Sequence, residues 1–234
     1  MSSQAPYGQA GGRGNDRGLF FTYLDSKLAS LIVDQAAEEA RKKSQFSQAI
    51  QLYSLADQDE LVAEILIERL ADICKESQRN PERQERERQA RELLQRTEGH
   101  RPLHRDSKRA LDVLWALINF FNLYHSSTLN YDAAEAKWNE LLHELERPGV
   151  FKSLRAPVRQ AFADVADALY RIYRRQYQDL RETTRVYRGL EHTEAHSNLQ
   201  AKVERLRDFI ANISESIGPQ NELQERLVEL LGRV

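Results

Sequence analysis

Apolar residues recur along this chain at steps of three and four, the period of one helix face. The clearest instance is 46–70, FSQAIQLYSLADQDELVAEILIERL, where Phe46, Ala49, Ile50 and Tyr53 share one face and Leu61, Ile65, Leu66 and Leu70 share another. The polar break from Asp57 to Asp59 has room only for a tight reversal, so the stretch predicts a helical hairpin. Asp59 is expected to cap the second helix, with Glu60 in its first turn at the positive end of the dipole. Small Ala49 and Ala56 let helices approach closely. Such a hairpin keeps apolar groups on its outer sides, which neighbouring hairpins must cover.

The same periodicity marks the remaining elements. Leu28, Leu31, Ile32, Ala36 and Ala40 form the stripe of a first helix, capped by Asp25 or Ser26 and ending near Lys43. Residues 82–96, ERQERERQARELLQR, offer only Ala90, Leu93 and Leu94 to a core and predict a weakly held, solvated helix behind Pro81. Asp106 opens the most apolar helix. Its Leu111, Leu114, Trp115, Leu117, Ile118, Phe120, Phe121 and Tyr124 point nearly all round, which places Trp115 and Phe121 in the central core. Asn130 reads as the cap of a helix that turns Ala134, Trp138, Leu141, Leu142 and Leu145 inward. A long helix from about Leu154 admits Pro157 in its first turn, aligns Val158, Phe162, Val165, Leu169, Tyr173 and Tyr177, and frays near Glu182 to Gly189. Leu199, Val203, Leu206, Ile210, Ile213 and Ile217 form a last long seam. After Gly218 and Pro219, Leu223, Leu227, Leu230 and Leu231 are expected to fold back over it as a cap, leaving the isolated domain mainly monomeric. The prediction is an all-α protein, an irregular α-solenoid of about ten antiparallel helices with one tetratricopeptide-like hairpin. It occupies residues 19–234, behind a Gly, Ser and Gln rich tail, 1–18, that has too little apolar surface to order.

Composition narrows the function. Hydrophobic residues make up 41% of 234, enough to bury a sizeable core. A formal charge of −2, with charges of both signs interspersed, gives no global attraction to nucleic acid or to an anionic membrane. The single cysteine, Cys74, cannot form an internal disulfide, so the chain reads as intracellular. The longest uncharged stretch, between Asp112 and Asp132, is interrupted by Asn119, Asn122 and His125, and no membrane span or secretory signal is expected.

Motifs for chemistry are weak. His192 and His196 lie four apart but lack further ligands and the zinc-protease pattern, and are expected as exposed histidines in a loop before the last long helix. His100 and His104 are separated by Pro102. Asp57, Asp59 and Glu68 imitate a calcium loop, yet Leu61 and Ala63 stand at ligand positions and Val62 where glycine is required. No phosphate loop or nucleophile elbow is present, and no histidine near Cys74 in sequence would activate it. The expectation is a non-enzyme with no cofactor, metal or small-molecule substrate. One basic run stands out: Arg174, Arg181, Arg185 and Arg188 align along a continuous helix between tyrosines. The stripe suits either phosphates, with tyrosines stacking bases, or acidic residues of a protein partner. Since Tyr170, Tyr173 and Tyr177 fit the core stripe, the basic side reads as a solvated face or a dock for acidic residues of a protein partner, and nucleic acid is not expected.

Three stretches resemble a known family in order and spacing: FSQAIQLYSLADQDELVAEIL, LDVLWALINFFNLYHSSTLNYDAAEAKWNELL and GPQNELQERLVELLGRV. They are similar to the carboxy-terminal part of the nucleoporin-interacting-component family, inner-ring linker and scaffold proteins of the nuclear pore complex. The likeness covers Leu19 to Val234. It omits that family's amino-terminal coiled-coil segment and the first part of its solenoid, so functions residing there do not carry over. The resemblance implies a structural constituent of the pore at the nuclear envelope. Such a constituent binds other scaffold and linker nucleoporins, and supports pore assembly, protein import and mRNA export without inserting into the membrane. A soluble tetratricopeptide-like adaptor for peptide tails is the alternative, and an RNA-binding helical protein a second. The adaptor should repeat a 34-residue unit, whereas only the central hairpin matches one.

Overall fold

The computed structural model describes residues 26–97, 102–126, 131–145, 150–186 and 191–217, together with 225, 228 and 229. The expected tail at 1–18, the Asn130 cap, and Leu223, Leu227, Leu230 and Leu231 of the expected last helix lie outside these residues. Among the described residues there are nine α-helices and no strand, as the hydrophobic periodicity predicts. They are α1 (Ser26–Lys42), α2 (Phe46–Leu55), α3 (Asp59–Ile73), α4 (Pro81–Thr97), α5 (Arg105–Tyr124), α6 (Tyr131–Leu145), α7 (Val150–Ser153), α8 (Ala156–Val186) and α9 (Glu191–Ile217). The chain forms two compact units that divide between Val62 and Ala63, inside α3.

In the first unit α1 and α2 pack side by side. Both reversals turn on a residue in the left-handed region, Ser44 at φ 58° and Asp57 at φ 55°, where glycine is usual. The Gln45 N–H reaches back to Ala40 O at 2.8 Å and the Gln58 N–H to Tyr53 O at 2.9 Å, which satisfies the last carbonyls of each helix. Asp59 lies within the first turn of α3, together with Glu60. The residue before the helix is Gln58, whose carbonyl accepts from Val62 and whose side chain donates to Asp34 Oδ1 at 2.5 Å. The cap position is thus one residue earlier than the aspartate pattern suggests.

The buried face of α1 also differs from the predicted one. Ala29, Val33, Ala37 and Ala40 are buried, while Leu28, Leu31 and Ile32 are 49%, 55% and 40% exposed. The expected stripe weighted large side chains, but the neighbour α2 takes the face of small ones, where two backbones can come close. Tyr53, fully buried on α2, donates its hydroxyl to Glu38 Oε1 at 2.5 Å. Burial first, and then the Glu38 carboxylate, push that hydroxyl up from its ordinary 10.0 to about 12. The unfolded chain therefore releases this proton near pH 10 and the folded one near 12, so stability is full below pH 10 and falls as pH rises through that window. Tyr53→Phe should flatten this alkaline slope in urea titrations at stepped pH. An unchanged slope would remove the assignment.

In the second unit consecutive helices pack in pairs, α5 with α6 and α8 with α9, and α5 also meets α8. Short links between packed neighbours make each pair antiparallel, the hairpin-on-hairpin arrangement of an α-solenoid. The α8 stripe of Val158, Phe162, Val165, Leu169 and Tyr173 is buried as predicted, and helix continues through the stretch expected to fray, to Val186. Leu199, Val203, Leu206 and Ile210 are buried too, so this part of the last seam is used within the chain.

Two expectations for this unit are corrected. Trp115 is only half-buried, with the Arg91 guanidinium 5.0 Å from its ring centre. Phe121 is buried as expected, at 2% exposure, and a further buried aromatic cluster joins Trp138, Phe162 and Phe209, with Phe209 edge-on to Trp138 at 4.8 Å and to Phe162 at 5.9 Å. The other correction concerns α4, expected as a solvated helix. Its Arg83 is fully buried and Arg86 and Glu87 nearly so, beside Ala90, Leu93 and Thr97. Asn80 caps α4, accepting from the N–H groups of Glu82 and Arg83 at 2.9 and 3.3 Å, and Pro81 opens it as predicted.

Candidate partner-binding site

The placement of α5 follows from Arg83. Its Nε donates to Glu87 Oε1 at 2.8 Å, and its two terminal nitrogens bond the Glu76 carbonyl, the Ile118 carbonyl at 3.3 Å and Asn122 Oδ1 at 2.6 Å. One guanidinium thus ties α4, the α3–α4 link and the C-terminal half of α5 together, and the carboxylate of Glu87 balances its charge. At the other end of α5, His104 Nδ1 accepts from the Asp106 N–H at 3.4 Å, so the helix starts at Arg105 under a histidine cap.

Held this way, α5 forms a groove of about 820 Å³ with α6. Val113, Ala116, Leu141 and Leu145 supply apolar lining. Arg105, Lys108 and Arg109 outnumber Asp106 and Asp112 on the α5 wall, whereas Glu140 and Glu144 outnumber Lys137 on the α6 wall. Burial pushes the Asp112 carboxyl up, with Lys108 opposing the shift. An apolar strip between walls of opposite net charge suits an amphipathic helix laid in one direction.

The arginine stripe divides. Arg174 and Arg181 are exposed on α8, two turns apart on one face, and form no ion pair with a described residue. Between them Arg175 lies 5.9 Å from the Tyr131 ring centre, and one turn earlier Arg171 pairs with Asp167 at 2.7 Å. Arg185 belongs to α8 but its side chain lies outside the described residues, as does Arg188 altogether. Tyr170 and Tyr173 are buried and Tyr177 half-buried, core positions as the stripe predicted.

The other motifs bring no chemistry together. Glu191 to His196 form the first turns of α9 in place of the expected loop, and His196 is half-buried. Among the described residues no group of His, Cys, Asp and Glu is placed to hold a metal ion. The Cys74 thiol is fully buried and burial pushes it up to about 12, which keeps it protonated and unreactive. No described helix is long and apolar enough to cross a membrane.

Missed by sequence reasoning were Arg83, Glu135 and Phe209, all buried. For Arg83 a signal existed, because steps of three and four back from Ala90 and Leu93 reach Glu87, Arg86 and Arg83.

Stacked helical hairpins with a lined groove and exposed charged edges define a helical docking scaffold. The Nup93/Nic96 family model matches residues 15–219, and the chain belongs to that family. The family is a structural one, and its members are components of the nuclear pore complex at the nuclear envelope. No curated protein matches the sequence.

Proposed function

We propose that the protein is an adhesive segment of the nuclear pore scaffold whose α5–α6 groove receives a short amphipathic helix of another nucleoporin. By holding that neighbour in place it supports pore assembly, and through assembly protein import and mRNA export. The observation that carries this reading is the groove itself, an apolar strip between walls of opposite charge. An apolar seam supplies affinity in such a groove and the charges set direction. The exposed Arg174 and Arg181 edge takes acidic residues of the same or a second partner, and RNA is not its ligand.

Capture from nuclear-envelope extract tests the proposal. Ala116→Glu sets a charge into the half-buried lining of the groove and should reduce a captured nucleoporin by about tenfold or more, the equivalent of roughly 1.4 kcal/mol. Charge reversal of Arg174 and Arg181 together should weaken capture several-fold, more so at low salt, with the fold intact. Undiminished capture by both variants would contradict the proposal. RNA binding at physiological salt that the double reversal abolishes would favour the RNA-binding alternative.

A further inference from the structure

We infer that a second concavity, between α6, α8 and α9, is a receptor for one carboxylate, supplied by an acidic side chain of a protein segment lying across its mouth. The cavity measures about 210 Å³, room for a side chain but not for a helix. At its base Glu135, 6% exposed, is held by Lys202 Nζ at 2.8 Å from Oε1 and 2.9 Å from Oε2, and by Gln176 Nε2 at 3.3 Å. Both carboxylate oxygens are thereby used, and the charge of Glu135 is balanced by that of Lys202.

Above this pair the lining is rich in unused donors. Tyr173, 3% exposed, lines the cavity, and its hydroxyl makes no hydrogen bond to a described residue. Asn198 and Arg205 line it from α9, exposed at the mouth, and neither forms a hydrogen bond or ion pair with a described residue. The hydroxyl feels the negative charge of Glu135 and the opposing charge of Arg205, so both lie within electrostatic reach of it. A guanidinium, an amide and a hydroxyl lining one space, all able to donate, suit an acceptor.

Charge identifies that acceptor. Lys202 and Arg205 against Glu135 leave one positive charge, which a monoanion balances and a phosphate dianion overshoots. A carboxylate is planar and matches the guanidinium fork with two parallel hydrogen bonds. With Asn198 and Arg205 open to solvent, the carboxylate enters from outside while the backbone that bears it stays at the rim. The inference shares with the proposed function only the idea of a protein partner, since no residue of this cavity lines the α5–α6 groove.

Nuclear magnetic resonance titration of the whole chain at constant ionic strength tests it. The signals followed are the Trp138 indole N–H and the Asn198 side-chain amide, both lining the cavity. Glutamate blocked at both ends, N-acetylated and amidated, should give saturable shifts in the millimolar range proper to so small a ligand, and the glutamine analogue none. Arg205→Leu should weaken the response at least tenfold and Arg205→Lys less, with melting unchanged in both because Arg205 is exposed. No saturation, an equal response to glutamine, or unaltered affinity in Arg205→Leu would overturn the inference. Tighter binding of inorganic phosphate would overturn the carboxylate, and tighter binding of free succinate would overturn the side-chain source. Because the readout uses isolated ligands, a failed nucleoporin capture does not bear on it.

Discussion

Arg83→Ala should destabilise the second unit by roughly 3 to 5 kcal/mol, a large effect for a residue in a stretch that reads as solvated. The substitution removes a charge with no exposed surface and leaves the carbonyls of Glu76 and Ile118, Asn122 Oδ1 and the Glu87 carboxylate short of a donor. The Ile118 carbonyl and the Glu87 carboxylate are the buried ones, each costing on the order of 1 to 3 kcal/mol when stranded, and the residual pairing of Arg91 with Glu87 at 3.2 Å recovers only part of that. Urea denaturation followed by circular dichroism measures the change. A loss below about 1 kcal/mol would mean that water replaces the guanidinium and that α4 is the loosely held helix its composition suggests. Because Arg83 also fixes α5 through Ile118 and Asn122, its loss should reduce partner capture even under conditions where the protein stays folded.

Trp138→Ala is the other large effect, expected at roughly 3 to 5 kcal/mol. Trp138 is 3% exposed and meets Phe209 at 4.8 Å and Phe162 at 6.4 Å, so truncation opens a cavity where α6, α8 and α9 converge. Trp115→Ala should cost much less, about 1 to 2 kcal/mol, since the ring is half-buried and its contact with Arg91 is worth only about 0.5 to 1 kcal/mol. The two tryptophans thus separate a core position from a rim position, which apolar density alone does not tell apart. Equal melting temperatures for the two variants, or a reversed order, would contradict this packing.

Periodicity located the helices well where one face is plainly apolar, as on α8, and where an Asn-Pro or polar break ends an element, as before α4 and α3. It misjudged α1, because that helix is apolar on two sides and only the partner decides which is buried. The pattern favoured Leu28, Leu31 and Ile32, and the close approach of α2 selected Ala29, Val33 and Ala37. On α4 residue type outweighed phase. Charged residues read as solvated by type, although Arg83 and Glu87 share a face with Ala90 and neutralise one another across one turn. Of the candidate site, the exposed Arg174 and Arg181 were legible as a helical stripe. The α5–α6 groove was not, since a groove belongs to the gap between two helices and neither helix carries it in its own sequence.

Chemical cross-linking of isolated nuclear pore complexes, read by mass spectrometry, tests the docking role most directly. Lys108 and Lys137 stand on opposite walls of the groove. A docked helix predicts that both link to one short segment of another nucleoporin, and that Ala116→Glu abolishes both links together. Links from Lys108 and Lys137 confined to this chain, while exposed lysines elsewhere such as Lys43 link to other nucleoporins, would contradict it.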